Sequence, residues 1–364
     1  MRVAFRADAS LTIGTGHIMR CLTLAGVLRG HGAECIFFSR DHPGNLHKLV
    51  RDQGFELMQL GPVDETLSVE GAAAGRHWLG VDQQRDAEDT LAQVAGVAVD
   101  WMVVDHYGID APWEAALRRR CAQILVIDDL ANRAHAADAL LDQNLGKLAL
   151  DYQPKVSPAC KLLLGTDYAL LRPEFASLRS ASLERRKLGH LRKVLVTMGG
   201  VDLDNATSAV LEALKRLADP LELEVTVVMG THSPWREDVI RLAHGMPFPT
   251  EVLTNVQSMG NLMYAADICI GAGGSTSWER CCLGLPSLQL VLADNQMQIA
   301  NALSNVGAAR LFDRNDLGTG LQIALKTLQQ NSGLMIEMSA AAAGVVDGKG
   351  AQRVAKYILE GPWA

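Results

Sequence analysis

Short runs rich in Val, Ile, Leu and Phe alternate along this chain with stretches whose apolar positions recur at helical spacing. The first half offers strands at "RVAFRA", "ECIFFS", "WMVVDH", "QILVIDD" and "ALLDQN". The second offers "KVLVTM", "EVTVVM", "TEVLT", "ICIGA", "SLQLVL" and "ARLF". Strands alternating with helices predict parallel sheets flanked by helices, an α/β class, and the pattern occurs once in each half. Between the halves, "SLRSASLERRKLGHLRK", Ser177 to Lys193, is basic and shows no apolar stripe of helix or strand period. The domain boundary is therefore expected there, giving domains 1–176 and 177–364. The tail "DGKGAQRVAKYILEG" reads as a turn and an amphipathic helix, with Val354, Ile358 and Leu359 on one face, free to pack back on the first domain.

A length of 364 residues exceeds what one core usually serves, in keeping with two domains. With 48% hydrophobic and 21% charged residues and a net charge of -7, the composition is that of a soluble globular protein and gives no ground for polyanion binding. Nucleic acid is excluded as a partner on that basis. The start "MRVAFRADAS" is charged too early for a secretory signal, and no later apolar stretch is long enough to span a membrane. A cytoplasmic protein without membrane attachment is expected. The 7 cysteines lack CxxC spacing, which favours reduced, buried thiols over disulfides or zinc. Nothing in the pattern demands a protein partner.

In an open parallel sheet, ligands bind where strands lead into helix N-termini. The first such loop is "DASLTIGTGH", followed by Ile18, Leu22, Ala25 and Leu28 at helical spacing, so that His17 falls in or near a first turn. There the helix dipole favours the neutral imidazole, which can accept a proton as a general base. Gly14 and Gly16 would let a ligand reach the backbone. The plainer alternative is a glycine-shaped turn and a solvated helix-start histidine. In "VVDHYGID", Asp105, His106 and Tyr107 leave a buried strand together. Asp105 can simply be satisfied by nearby backbone N–H groups, whereas Tyr107 would project its hydroxyl toward a water or sugar.

In the second half, "LVTMGGVDLDN" places Met198, Gly199 and Gly200 before a helix, a possible phosphate approach, with Asp204 or Asn205 as alternative or additional caps. "CIGAGGSTSWERCC" is more informative: Gly273, Gly274, Ser275 and Thr276 at a helix start form a diphosphate cradle, and Glu279 can accept ribose hydroxyls. GxxxxGK[ST] is absent, and the glycines do not follow the first strand as a dinucleotide fingerprint would. Finally "LADNQMQIANAL" puts Asn295 and Gln296 after a strand, as sugar-binding amides or with Asp294 or Asn295 as a helix cap.

Taken together, "FRADASLTIGTGHIMRCLTLA", "VVDHYGID", "VIDDL", "LLDQNLG", "LLGTDYALLRPEF", "TMGGVDLDN", "GAGGSTSWE" and "DNQ" resemble the UDP-2,4-diacetamido-2,4,6-trideoxy-β-L-altropyranose hydrolases of pseudaminic acid biosynthesis. The first motif, with Arg6, Asp8, Ser10, Gly14, Gly16, His17 and Arg20, is the most specific. The resemblance implies a GT-B fold, two Rossmann-like domains facing each other across a cleft, with UDP held mainly by the second. It implies His17 as catalytic base, Tyr107 as cleft tyrosine, Asn295 and Gln296 as sugar-side amides, and Glu279 as the ribose carboxylate. On the sugar side it adds Arg6, Asp8, Gly14 and Gly16. The chain departs from compact members through "EGAAAGRHWLGVDQQRDAEDT" in the first domain and through its extra length.

The expected reaction is metal-independent, cofactor-free hydrolysis at the anomeric carbon: His17 takes a proton from water, which attacks opposite the departing UDP and inverts the configuration. Helix N-termini after Gly200 and Gly274 would meet the leaving-group charge. A GT-B glycosyltransferase, with an acceptor hydroxyl in place of water, and a silent sugar-nucleotide sensor are the rival readings. Absence of a basic amphipathic face favours water over a lipid-linked acceptor.

Overall fold

The computed structural model describes residues 1–64, 76–96, 98–200, 202–217, 222–231, 233–292, 294–312 and 317–361, without the side chains of Arg76, His77, Asp294 and Asn295. The chain forms two units, Met1–Leu170 together with Lys349–Ala364, and Leu171–Gly348.

The first unit runs β1 (Arg2–Ala7), α1 (Gly16–Gly30), β2 (Glu34–Asp41), α2 (His47–Asp52), β3 (Glu56–Pro62), α3 (Gln83–Val94), β4 (Val99–Asp105), α4 (Ala111–Leu117), β5 (Cys121–Ile127), β6 (Ala139–Asp142), α5 (Ala149–Tyr152) and β7 (Lys161–Leu164). Among the described residues its strands form one parallel sheet in the order β3-β2-β1-β4-β5-β6-β7. β3 and β7 add to the strands expected from sequence. Their signals are weak for physical reasons: β3 is a half-exposed edge strand ending in Gly61-Pro62, and β7 has only 4 residues.

Alternate strand residues serve two cores. Val3, Phe5, Phe37, Trp101 and Val103 pack beneath α1, while Ala4, Ile36, Phe38, Met102 and Val104 face α3 and α4. The terminal helix belongs to this unit. This last helix spans Gly350–Glu360, and its buried Ala351, Val354, Ala355 and Ile358 join the core beneath α1. Covered by the sheet and by the last helix, α1 buries Ile18, Cys21, Leu22, Leu24, Ala25 and Leu28 and has no single apolar stripe. A side chain at Gly350 would overlap the carbonyl oxygen of Ala169, so the last helix docks through a residue without Cβ.

The second unit runs α6 (Pro173–Arg186), β8 (Lys193–Thr197), α7 (Ala206–Lys215), β9 (Glu224–Met229), α8 (Arg236–His244), β10 (Thr250–Thr254), α9 (Met259–Ala265), β11 (Ile268–Ala272), α10 (Thr276–Cys282), β12 (Ser287–Leu290), α11 (Asp294–Asn305), β13 (Ala309–Phe312), α12 (Thr319–Gln330) and α13 (Ser332–Val345). The last helix is thus α14. The sheet is again parallel, in the order β10-β9-β8-β11-β12-β13.

The division falls at Leu170/Leu171 rather than 176/177, because the basic stretch is a helix of the second unit and not a linker. Its arginines face inward. Arg179 donates to the carbonyls of Cys282, Ala343 and Val346, and Arg186 to those of Met263, Ala266 and Leu283. These are the orphan acceptors at the ends of α9, α10 and α13, where helix dipoles favour cations. An arginine stripe aimed at carbonyls escapes a search for apolar periodicity. Burial, with Arg185 beside it, pulls the Arg186 guanidinium down to about 9.

Candidate active site

In both sheets the strand order reverses direction beside the first strand, between β1 and β4 and between β8 and β11. Ligands of open parallel sheets bind at such switch points, at the carboxyl ends of the strands. The "DASLTIGTGH" and "VVDHYGID" loops leave the first, and the two glycine loops leave the second.

Ala7 of β1 pairs with Asp105 of β4, which brings the two first-unit loops together. Between Asp8 and α1, Ser10 Oγ accepts from the backbone N–H groups of Thr12 and Ile13, and Gly14 turns with φ +79°, a left-handed conformation suited to glycine. Gly16 begins α1, so His17 lies in its first turn. His17 Nδ1 is 2.6 Å from Asp105 Oδ1. Arg20, one turn on, grips both oxygens of Asp105 at 2.5 and 2.6 Å.

Asp105 is fully buried. Burial alone would raise its carboxyl, but the charge of Arg20, then that of His17, and hydrogen bonds from both hold it well below the usual carboxylate range. An ionised Asp105 fixes the His17 proton on Nδ1 and leaves Nε2 as the acceptor. His17 itself is 7% exposed.

Arg20 also donates to Asp129 Oδ2 at 2.8 Å. Asp129 in turn accepts from the Tyr107 hydroxyl at 2.9 Å and from Asn144 at 3.3 Å. The hydroxyl of Tyr107 is thus committed to a carboxylate, where the sequence suggested a water or sugar. Burial first, and then the neighbouring charge of Asp129, raise its pKa well above the free value. The Tyr107 ring meets His17 edge-on at 4.8 Å and stacks on Trp78 at 5.5 Å.

Arg6 and Asp8 are in a different position from that expected of sugar ligands. Both are fully buried, and Arg6 pairs with Asp86 and Asp8 while Arg40 joins the same Asp86. Asp8 Oδ1 accepts from the Arg40 backbone N–H, and its Oδ2 faces His42 and His106, each at 3.5 Å. As placed, these groups hold the loops together and present no atom to solvent. His106 Nδ1 accepts from the Gly108 N–H, and burial pulls its pKa to about 3, so the ring is neutral with its proton toward Asp8.

In the second unit, Met198 is core, whereas Gly199 (φ +95°) and Gly200 are exposed. The helix that follows is already capped: Asp202 accepts from the N–H groups of Ala206 and Thr207 at 2.8 and 2.9 Å, and Asn205 from Ser208 at 3.4 Å. The phosphate approach expected at the start of α7 is therefore occupied by a carboxylate. At α10 the N-cap residue Ser275 makes no capping hydrogen bond with its side chain; Ser275 is exposed and Thr276 half-buried. Gly273 lies 3.4 Å from Gln296 through the Cβ it lacks, which seats the start of α11 against this loop, while around Gly274 the same space is open. Gln296 Oε1 accepts from the Leu292 N–H, and the side chain of Asn295 lies outside the described residues. Glu279 accepts from Arg172 at 3.3 Å, and burial raises its carboxyl against that charge.

Two parallel α/β units whose switch points carry these loops are matched over 99% of both chains by Acinetobacter baumannii MurG, with a TM-score of 0.69 and 18% identity. The chain has the GT-B fold. Within it, residues 193–356 match the glycosyltransferase family 28 C-terminal domain. An uncharacterised protein of Methanocaldococcus jannaschii is 24% identical over 303 residues, 82% of this chain and 57% of that protein. Bacillus subtilis spore coat polysaccharide biosynthesis protein SpsG is 25% identical, covering 99% of this chain and 98% of its own. The UDP-2,4-diacetamido-2,4,6-trideoxy-β-L-altropyranose hydrolase of Campylobacter jejuni is 25% identical over 59% of this chain and 66% of that one.

Two GT-B loop residues escaped the sequence reading. Asp129 lies two residues past β5 and Asp105 is the last residue of β4, and this shared position at a strand end was the available signal. Trp78 lies in the segment taken as extra length, and no local pattern distinguishes it.

Proposed function

We propose that this protein hydrolyses a UDP-linked 2,4-diacetamido-2,4,6-trideoxy sugar, UDP-2,4-diacetamido-2,4,6-trideoxy-β-L-altropyranose, at the anomeric C–O bond with inversion. The observation that carries this reading is His17: Nδ1 on an ionised, buried Asp105, and Nε2 left as acceptor in a helix first turn. The C. jejuni relative supports the substrate, and the family 28 match supports a sugar-nucleotide site in the second unit.

Water attacks C1 as its proton passes to His17 Nε2. The bond from C1 to the phosphate oxygen breaks, its electron pair leaves with UDP, and Asp105 stabilises the imidazolium that forms. Tyr107 and Arg20 hold the dyad in place. The backbone N–H groups at Gly274, Ser275 and Thr276 receive the diphosphate, Glu279 the ribose, and Asn295 and Gln296 the sugar substituents. Divalent metal is not required on this reading, so chelator leaves the rate unchanged.

A glycosyltransferase, in which an acceptor hydroxyl gives its proton to the same His17, is the second reading, favoured by the family 28 match. NMR of the purified protein with the UDP-sugar separates the two. Hydrolysis without acceptor yields UDP and the inverted free sugar; His17→Ala abolishes it and keeps UDP binding. Turnover that needs an added acceptor points to the transferase, and a parent rate in His17→Ala removes His17 as base.

A further inference from the structure

His17 can offer Nε2 as a base only while its ring proton sits on Nδ1, and Arg20 competes for that atom. The oxygens of Asp105 are shared between the two residues: Oδ1 lies 2.6 Å from His17 Nδ1 and accepts from Arg20 Nη2 at 2.6 Å, while Oδ2 accepts from Arg20 Nε at 2.5 Å. The same Nη2 stands 3.4 Å from His17 Nδ1. A guanidinium only donates. A swing of Arg20 that brought Nη2 onto Nδ1 would therefore need a bare Nδ1, with the ring proton on Nε2. Such a ring has no lone pair left at Nε2 to take a proton from water.

What keeps Arg20 from that swing is bound to its remaining nitrogen. Nη1 donates to Asp129 Oδ2 at 2.8 Å. Because the guanidinium is planar and rigid, pinning Nη1 also pins Nη2. Asp129 is itself held on both oxygens, Oδ2 by the Tyr107 hydroxyl at 2.9 Å and Oδ1 by the Asn144 amide at 3.3 Å. The Tyr107 ring then returns to His17, edge-on at 4.8 Å. His17, Asp105, Arg20, Asp129 and Tyr107 thus close a ring of contacts in which Asp129 is the member farthest along the chain from the base. We infer that Asp129 is a positioning residue that keeps His17 in its Nδ1–H tautomer by anchoring Arg20 away from the imidazole. It acts through Arg20 and takes no proton itself. This rests on the reading of His17 as the general base.

The test is nitrogen NMR of the full chain carrying isotope-labelled histidine, recorded at alkaline pH where the imidazole is neutral, with the His17 ring signals assigned by their loss in His17→Gln. In wild type Nδ1 should bear the proton and Nε2 should be bare. Asp129→Ala should move a large share of the ring to the Nε2–H form, and Asp129→Asn, which keeps one acceptor oxygen, a smaller share. Hydrolysis of UDP-2,4-diacetamido-2,4,6-trideoxy-β-L-altropyranose should fall in the same order, roughly ten- to hundredfold in kcat for Asp129→Ala, as when a supporting group is displaced. The Kd for UDP should be the same in all three proteins. UDP binding serves as the folding control, and Asp129→Asn decides if the alanine variant fails it. A wild-type ring protonated on Nε2, a wild-type spectrum in both variants, or a full kcat beside a shifted tautomer overturns the role. Wild type that cleaves nothing without an added acceptor would refute the hydrolase, and the ring signals would still decide for or against Asp129.

Discussion

At the carboxyl end of β6, Asp142 is fully buried and its carboxyl is pushed from 3.8 up to about 7, by burial first and by the charge of Asp129 next. Hydrogen bonds from Tyr152 and Asn144 and the charge of Lys147 offset only part of this. The folded protein thus keeps a proton between about pH 4 and 7 that the unfolded chain has lost, so this group's contribution to stability falls as pH rises through that window. His106, depressed to about 3, acts in the opposite sense, losing stability as pH falls below 6.5. Asp142→Asn removes the first effect alone. Thermal melts at pH 5 and pH 8 should show a smaller fall in Tm for the variant than for wild type, and equal falls would sink the assignment. Residues of this kind were hard to read from sequence. His17 stands out by a helix start after glycines, whereas Arg6 of the same motif turned out to be a buried partner of Asp86, 80 positions away, and Asp8 a buried partner of Arg6, Ser39 and the Arg40 backbone. Motif membership does not tell a group that touches ligand from one that holds the loop.

Helix starts show the same division among elements. Both glycine loops read as phosphate cradles, yet α7 begins under Asp202, while the N-cap Ser275 of α10 makes no capping bond. Asp202→Ala should cost about 1 kcal/mol, the usual worth of such a cap, and lower Tm by roughly 2–4 °C for a unit of this size. UDP affinity, measured by titration, should stay within twofold, and a tenfold loss would move the diphosphate to α7. The cap was hidden because Asp202, with φ +49°, lies closer to the glycines than the Asp204 and Asn205 weighed from sequence. Strand runs were legible wherever they were continuous and apolar. The half-exposed β3, the 4-residue β7 and the carbonyl-binding arginines of α6 were not, since their stability comes from tertiary partners rather than from periodicity.

For the molecule as a whole, two α/β halves of one architecture and their strand-end loops could be read from alternation alone, because parallel sheets impose that order. The attachment of each segment to its unit could not, since it depends on contacts between distant positions. Gly350 is the plainest case: Gly350→Val should loosen α14 against Tyr168 and Ala169 and destabilise the first unit by about 1–3 kcal/mol, as overpacking does. Hydrogen exchange should then accelerate in α1 and α14 and leave the second unit's sheet as protected as before; uniform loss across the chain would contradict that partition.

The placement of α14 also sets an order of events on the ribosome. Leu171–Gly348 is contiguous and can close its core as soon as it has emerged. The sheet made first must wait, with one side of α1 uncovered, until α14, which follows the whole of the second unit, arrives to close it.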